Sequence, residues 1–441
     1  MTLNDDIGIK IPEILLPKPE INHAKWAVIA CDQFTSEPEY WHHVEAIVGE
    51  SPSTYHMILP EVYLETAQET ERIKSTQKTM QQYLQSGIFR QFSDFIYVLR
   101  TSEGHTRRGL MVCLDLEQYD YNKGAQTLIR ATEGTILDHL LPRIRIREGA
   151  ALECPHILVL FDDPNDTVFG FIDEQIEMFH KIYSFDLMLG SGHLTGIKLD
   201  DEGVQQHIFN ALRDLIEPET FAEKYNLKPG LYKPLLFAMG DGNHSLATAK
   251  AIWEKLKPSV GMDHPARYAL VEIENVHDPA LSFEPIHRLL FDVNKDILES
   301  MQTYWGHRLN VKEIPDRTSL VNIVEEAAEP WHQIGMVSVN GFMLIEIHQP
   351  KDNLPVGTLQ NFIDHFMAES GAEKVDYVHG TQVLMDQGRQ GRNIGFLVPG
   401  MDKSDLFRTV ILDGALPRKT FSMGEARQKR FYMECRRIQN A

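Results

Sequence analysis

The stretch Leu235–Ser245, LLFAMGDGNHS, decides the reading of this chain. Leu235–Met239 is an apolar run and reads as a buried strand. Gly240 and Gly242 flank Asp241 and permit a tight turn with close backbone approach. Beyond it, Leu246, Ala249 and Trp253 recur at helical spacing, which predicts a helix over 243–257. Strand, glycine turn and helix in this order suit a small anion. The first amides of a helix have no intrahelical acceptor, and its N-terminal dipole favours phosphate or carboxylate. Gly240, Gly242, Asn243 and Ser245 are the candidate phosphate-binding residues. Asp241 is a candidate to hold Mg²⁺ or to accept a hydroxyl proton. His244 is a candidate phosphate donor group or acid/base. The same residues also read as ordinary turn chemistry, with Asn243 or Ser245 capping the helix. The local pattern leaves the two readings level.

Working outward, strands and helices alternate along the whole chain, which predicts a mixed α/β fold. Strands are expected at Trp26–Cys31, Tyr55–Leu59, Phe95–Leu99, Leu110–Leu116, His156–Phe161 and Tyr268–Ile273. Two more are expected around the glycines of Leu187–Leu199, and a further pair within Gly335–Ile347. Helices are expected at Pro38–Val48, from Pro60 to about Gln85, and near Leu298–Tyr304, Leu359–Met367 and Lys403–Ile411. No fixed repeat period and no low-complexity linker occur. A soft boundary separates a main domain, 1–290, which carries the candidate site, from a C-terminal α/β region, 291–441.

Composition narrows the function classes. With 441 residues, 43% apolar and 24% charged, the chain has the balance of a globular protein. Its 43 Lys and Arg against 63 Asp and Glu give a net charge of −20, which argues against general nucleic-acid binding. A locally basic pocket for a small anion stays compatible with that charge. No apolar run reaches a membrane-spanning length, and the polar start is unlike a secretory signal. Cys31, Cys113, Cys154 and Cys435 form no C-x-x-C pair, so reduced thiols and a cytoplasmic location are expected. Walker A, G-x-S-x-G and H-E-x-x-H signatures are absent.

Several segments together resemble a widespread family catalogued as domain of unknown function 1015. Gly240–Ser245 is similar to its Asp-Gly-x-His-Arg motif, and Trp26–Trp41 to its N-terminal signature. Arg130–Thr135 resembles its His-Glu-x-Thr region, Pro285–Arg288 its Pro-x-His-Arg segment, and Leu416–Met423 its closing motif. More distantly, Glu133 upstream of a strand–Asp-Gly-x-His–helix unit is similar to the ParB/sulfiredoxin-like superfamily and its free serine kinase branch. That resemblance implies a phosphate-binding unit of this type inside a larger mixed sheet. It implies Glu133 as base, Asp241, Gly242 and His244 at the phosphate, a nucleotide or pyrophosphate donor, and serine as acceptor. Ser245 stands where those families carry Arg. Either another cation supplies that charge, or the phosphate role is lost. Arg130 and Arg288 are the first choices because each lies in a family-like segment.

Other features carry less. Arg143, Arg145 and Arg147 share one face as a strand, whereas a helix aligns only Arg143 and Arg147. Glu133 also reads as a helix N-terminal residue. Lys419, in the basic run 418–419, is a further candidate for anion binding. The expectation is a small-molecule phosphotransferase with a small anionic metabolite or nucleotide as partner. A phosphatase using the same parts, or a non-catalytic sensor, stays open.

Overall fold

The computed structural model describes residues 3–4, 6–134, 140–327 and 330–440. The chain divides into two compact units. One is built from Met1–Leu281 with Gly424–Ala441, the other from Ser282–Met423. The boundary expected at 290/291 falls inside a strand of the second unit, Phe283–Phe291. The closing segment, from Gly424 on, belongs to the first unit.

The first unit is organised by a mixed sheet. Its strands are β1 (Phe95–Ser102), β2 (His105–Asp115), β3 (Tyr119–Asp120), β4 (Ile129–Arg130) and β5 (Leu158–Phe161). They continue with β6 (His180–Asp186), β7 (His193–Leu199), β8 (Phe237–Asp241) and β9 (Tyr268–Asn275). The spatial order is β6-β7-β1-β2-β9-β5-β8-β4-β3. The side from β6 to β9 is antiparallel, β9 and β5 are parallel, and β8 runs antiparallel to β5 but parallel to β4. Alternation sends successive side chains to opposite faces. Phe95, Tyr97, Leu110, Val112, Val271 and Ile273 face one core, and Ile96, Val98, Met111, Cys113 and Leu270 face another.

The closing segment is woven into the second of these cores. Phe431–Tyr432 pairs with Val28–Ile29, Arg436–Arg437 pairs with Leu152–Glu153, and Cys435 bridges to Leu15. Cys154 and Cys435, remote in sequence, come within 3.3 Å as free thiols. Buried charges accompany the weave. Arg430 pairs with Glu272 of β9 and with Glu434, and Arg107 of β2 lies 2.6 Å from Glu274 of β9. Gly109 makes room for this: a Cβ there would overlap the Glu272 carboxylate.

The second unit carries an antiparallel sheet. Its order is Leu309–Ile314, Gly341–Ile347, His332–Ser338, Ile394–Leu397, Phe283–Phe291 and Lys374–His379. Phe421–Met423 pairs with the start of Phe283–Phe291, and the rings of Phe283 and Phe421 stack at 4.3 Å. No helix among the described residues is long and apolar enough to cross a membrane.

Four sequence expectations change. Of the two strands expected within Leu187–Leu199 only His193–Leu199 lies there; its partner is His180–Asp186. Tyr55–Leu59 is not a strand; Thr54–Met57 forms a 3-10 turn capped by Ser53, whose side chain accepts from the Tyr55 amide at 3.1 Å. The helix expected from Pro60 begins only at Glu69, after a 3-10 turn over Glu61–Tyr63. Trp26 ends a short helix, His23–Trp26, and only Val28–Ile29 pairs as strand.

Candidate functional site

The site grows from the end of β8. Leu158 of β5 sits opposite Asp241, and the register slips by a bulge between Leu158 and Val159. Strand β8 therefore runs on through Gly240 and Asp241. Gly242, at φ 79°, then turns the chain into helix α1 (Asn243–Val260). The left-handed backbone is what requires glycine here, and the nearest atom to a Cβ would be Ile157 Cα at 3.2 Å. No side chain caps this helix. The Asn243 Oδ1, buried at its start, has no hydrogen-bond partner among the described residues.

Asp241 is the electrostatic centre. The Gly242 amide donates to its Oδ1 at 3.0 Å, and Lys429 Nζ lies 3.0 Å from its Oδ2. Burial pushes this carboxyl up, but Lys429, the nearby His156 and the Gly242 amide outweigh that and hold it below the usual range. Lys429 comes from the closing segment and is itself buried. It supplies a cation beside a motif that has Ser245 in place of Arg.

Ser245, in the first turn of α1, is hydrogen bonded to His156 Nε2 at 3.1 Å. His156 Nδ1 is in turn 2.8 Å from the Tyr432 hydroxyl, which accepts the Cys31 amide at 3.0 Å. Asp32 Oδ2 lies 3.6 Å from His156 Nε2. Ser245, His156 and Tyr432 open into a cavity of about 130 Å³. His244 is half-buried in the same turn, and its carbonyl accepts the Thr248 hydroxyl at 2.7 Å.

Glu133 is brought to this end of the sheet. Strand β4 runs parallel to β8, pairing Arg130 with Ala238. Just beyond it the Thr132 hydroxyl donates to the Met239 carbonyl at 2.8 Å. Glu133, next in the chain, is half-buried and forms an isolated bridge. The part of the family-like segment from residue 135 lies outside the described residues.

The two arginines expected at the phosphate are engaged with backbone carbonyls. Arg130 folds back to the start of β8, where its guanidinium donates to the carbonyls of Thr127, Lys233 and Pro234 at 2.8, 2.8 and 3.2 Å. Burial pushes its pKa down to about 10. Arg288 lies in the second unit, fully buried, and donates to Gln360 Oε1 and to the carbonyls of Ile286, Lys419 and Arg418. Both are themselves buried and spend their N–H groups on backbone carbonyls. Lys419 enters the same arrangement through its carbonyl.

The arginine triplet is helical over Leu140–Arg147. Arg143 pairs with Glu61, Arg147 with Glu153 at 2.6 Å, and Arg145 with Glu69 at 2.6 Å. Arg143 and Arg147, one turn apart, both line the cavity.

A Mg²⁺ ion on Asp241 was expected. Here an ammonium lies against one carboxylate oxygen and an amide donates to the other; Mg²⁺ takes an octahedral shell, usually one or two carboxylates completed by water and substrate phosphates. Among the described residues no group of three or more His, Cys, Asp or Glu could hold a metal ion.

Sequence reasoning missed Lys429, His156 and Tyr432. His156 gave a faint signal, as a polar residue at the head of an apolar strand. Lys429 and Tyr432 gave none, because only the tertiary weave of the closing segment brings them to β8.

Comparison with protein families matches residues 14–366 to the family described as "Protein of unknown function (DUF1015)". No curated protein matches the chain. Among solved structures, a free serine kinase in complex with ADP is 10% identical with a TM-score of 0.39, over 77% of this chain and 95% of that one. A conserved hypothetical protein from Pyrococcus furiosus is 10% identical with a TM-score of 0.36, over 75% and 95%. SbnI from Staphylococcus aureus, with a C-terminal truncation, is 11% identical with a TM-score of 0.35, over 75% and 87%.

Proposed function

The chain belongs to this DUF1015 family, and for this member we propose a small-molecule phosphotransferase whose phosphate site is the Gly240–Ser245 turn. The observation that carries the reading is Lys429 Nζ, 3.0 Å from Asp241 Oδ2 beside the helix start. A glycine turn and helix amides alone are common in folds. A buried ammonium, held in place by a carboxylate, adds a fixed donor beside them.

The roles follow from that geometry. Amides from Gly242 onward, with the side chains of Asn243, His244 and Ser245, bind phosphate oxygens of a nucleotide or pyrophosphate donor. Lys429 donates to them, and Asp241 holds Lys429 in position. Glu133 takes the proton of the acceptor hydroxyl. The acceptor oxygen bonds to phosphorus as the bond from phosphorus to the leaving phosphate oxygen breaks. Any Mg²⁺ would arrive with the donor, and no step is assigned to it. Free serine is the acceptor implied by the family resemblance.

The test is a thermal-shift screen with ATP, ADP and pyrophosphate on the wild type, Lys429→Met and Asp241→Ala. A ligand present at about 100 times its Kd should stabilise the fold by about 2.7 kcal/mol. The expected result is a shift in the wild type that disappears in Lys429→Met. A wild type indifferent to every phosphate compound would sink the reading.

A further inference from the structure

The cavity beside Ser245 has walls of unusual chemistry for a pocket flanked by arginines. Met57, Leu59, Met80 and Leu152 line it and are buried. Its two arginines are already matched. Arg143 is paired with Glu61. Arg147 is paired with Glu153, whose other oxygen takes Arg436 Nε at 2.6 Å and the Leu270 amide at 2.9 Å. Burial pushes Glu61 up, against the pull of Arg143. A charged ligand would lose its hydration here, and each arginine already has a carboxylate partner, Arg147 sharing Glu153 with Arg436.

The polar groups are few. Tyr432 already accepts the Cys31 amide and meets His156. Thr248 donates to the His244 carbonyl. Ser245 Oγ has one side-chain partner, His156, and a hydroxyl can make further hydrogen bonds. Ser245 also stands in the first turn of α1, where the phosphate site begins. A ligand hydroxyl bonded to Ser245 would therefore have its apolar body in the cavity and its oxygen at the phosphate end.

From this we propose that the cavity is the acceptor pocket and that it takes a small uncharged alcohol with an apolar body, not a free amino acid. That the bound alcohol is the phosphate acceptor rests on the phosphotransferase reading. That the pocket binds it does not.

The test uses the full-length protein without phosphate compounds. Saturation-transfer NMR and calorimetry are run with cyclohexylmethanol, serine, hexanoate and adenosine as probes. Cyclohexylmethanol is expected to bind with its ring protons most strongly saturated, while serine and hexanoate give no signal. Ser245→Ala should weaken it about tenfold, and Leu59→Trp, which fills the cavity, should abolish binding. The wild-type saturation pattern stands as evidence even if Leu59→Trp fails to fold. Binding of serine or hexanoate without the alcohol would overturn the proposal. So would silence from all four probes. Adenosine displacing the alcohol would also overturn it, by making this the base pocket of a nucleotide. Alcohol binding should survive Lys429→Met. If it does while pyrophosphate binds nowhere, the pocket stands and its role as acceptor site falls.

Discussion

Glu274 shows how much one buried side chain can report. It is fully buried on β9, with Arg107 Nε 2.6 Å away. Burial pushes its carboxyl from the ordinary 4.5 up to about 7; Arg107 and Lys429 oppose the rise, while Asp278 and Asp241 add to it. The folded state thus holds a proton that the unfolded chain releases near 4.5. Stability should fall as pH rises from about 4.5 to about 7, because the folded state binds more protons in that window. Urea titrations across it should show the decline, and Glu274→Gln should flatten it. A wild-type profile already flat there would contradict the assignment. Asp241 runs the other way. Its carboxyl is held below the ordinary 3.8, so its contribution is present above that value and is lost on further acidification. A third test concerns Gly109. Alanine there would push Glu272 away from Arg430 and leave that carboxylate buried without its partner. Breaking such a pair costs ~3–5 kcal/mol, readable in chemical denaturation.

The elements that the sequence reveals are those whose local pattern and tertiary role agree. Pro38–Val48 is helical as read, because Pro at its first position and apolar spacing both favour it. The strand–turn–helix at Phe237–Val260 is legible for the same reason, its glycines lying where the backbone needs them. Gly242→Ala should therefore destabilise by ~1–2 kcal/mol through its left-handed φ and cost phosphate binding as well. Measuring both on one variant separates a turn that only folds from one that also binds. Tyr55–Leu59 misleads because it is a short apolar run, with Tyr55, Met57, Ile58 and Leu59 all buried. Ser53 instead captures the backbone in a tight turn, a competition that an apolar run cannot register. The family-like segments around Arg130 and Arg288 were legible as special but not as structural. A buried guanidinium holding carbonyls and one awaiting an anion look the same in one dimension.

For the whole molecule, the decisive feature is that the first unit is discontinuous in sequence. Its candidate site takes Asp241 and Ser245 from the body of the chain and Lys429 and Tyr432 from the closing segment. Removing residues from Gly424 on should leave Glu272 without Arg430 and Asp241 without Lys429. The expected outcome is an insoluble protein or one melting far below the intact chain, seen by calorimetry; a shortened chain melting normally would refute it. The second unit leaves its own trace on this arrangement, because its first and last strands pair, Phe283 opposite Met423. Synthesis proceeds in one direction, so Asp241 and Glu272 are made before the whole of Ser282–Met423, and their cations Lys429 and Arg430 after it. During that interval a nascent chain carries a sheet face of unanswered acids. A ribosome that stalls anywhere within the inserted unit releases a product without Lys429, so partial translation products would be silent at this site rather than merely weak.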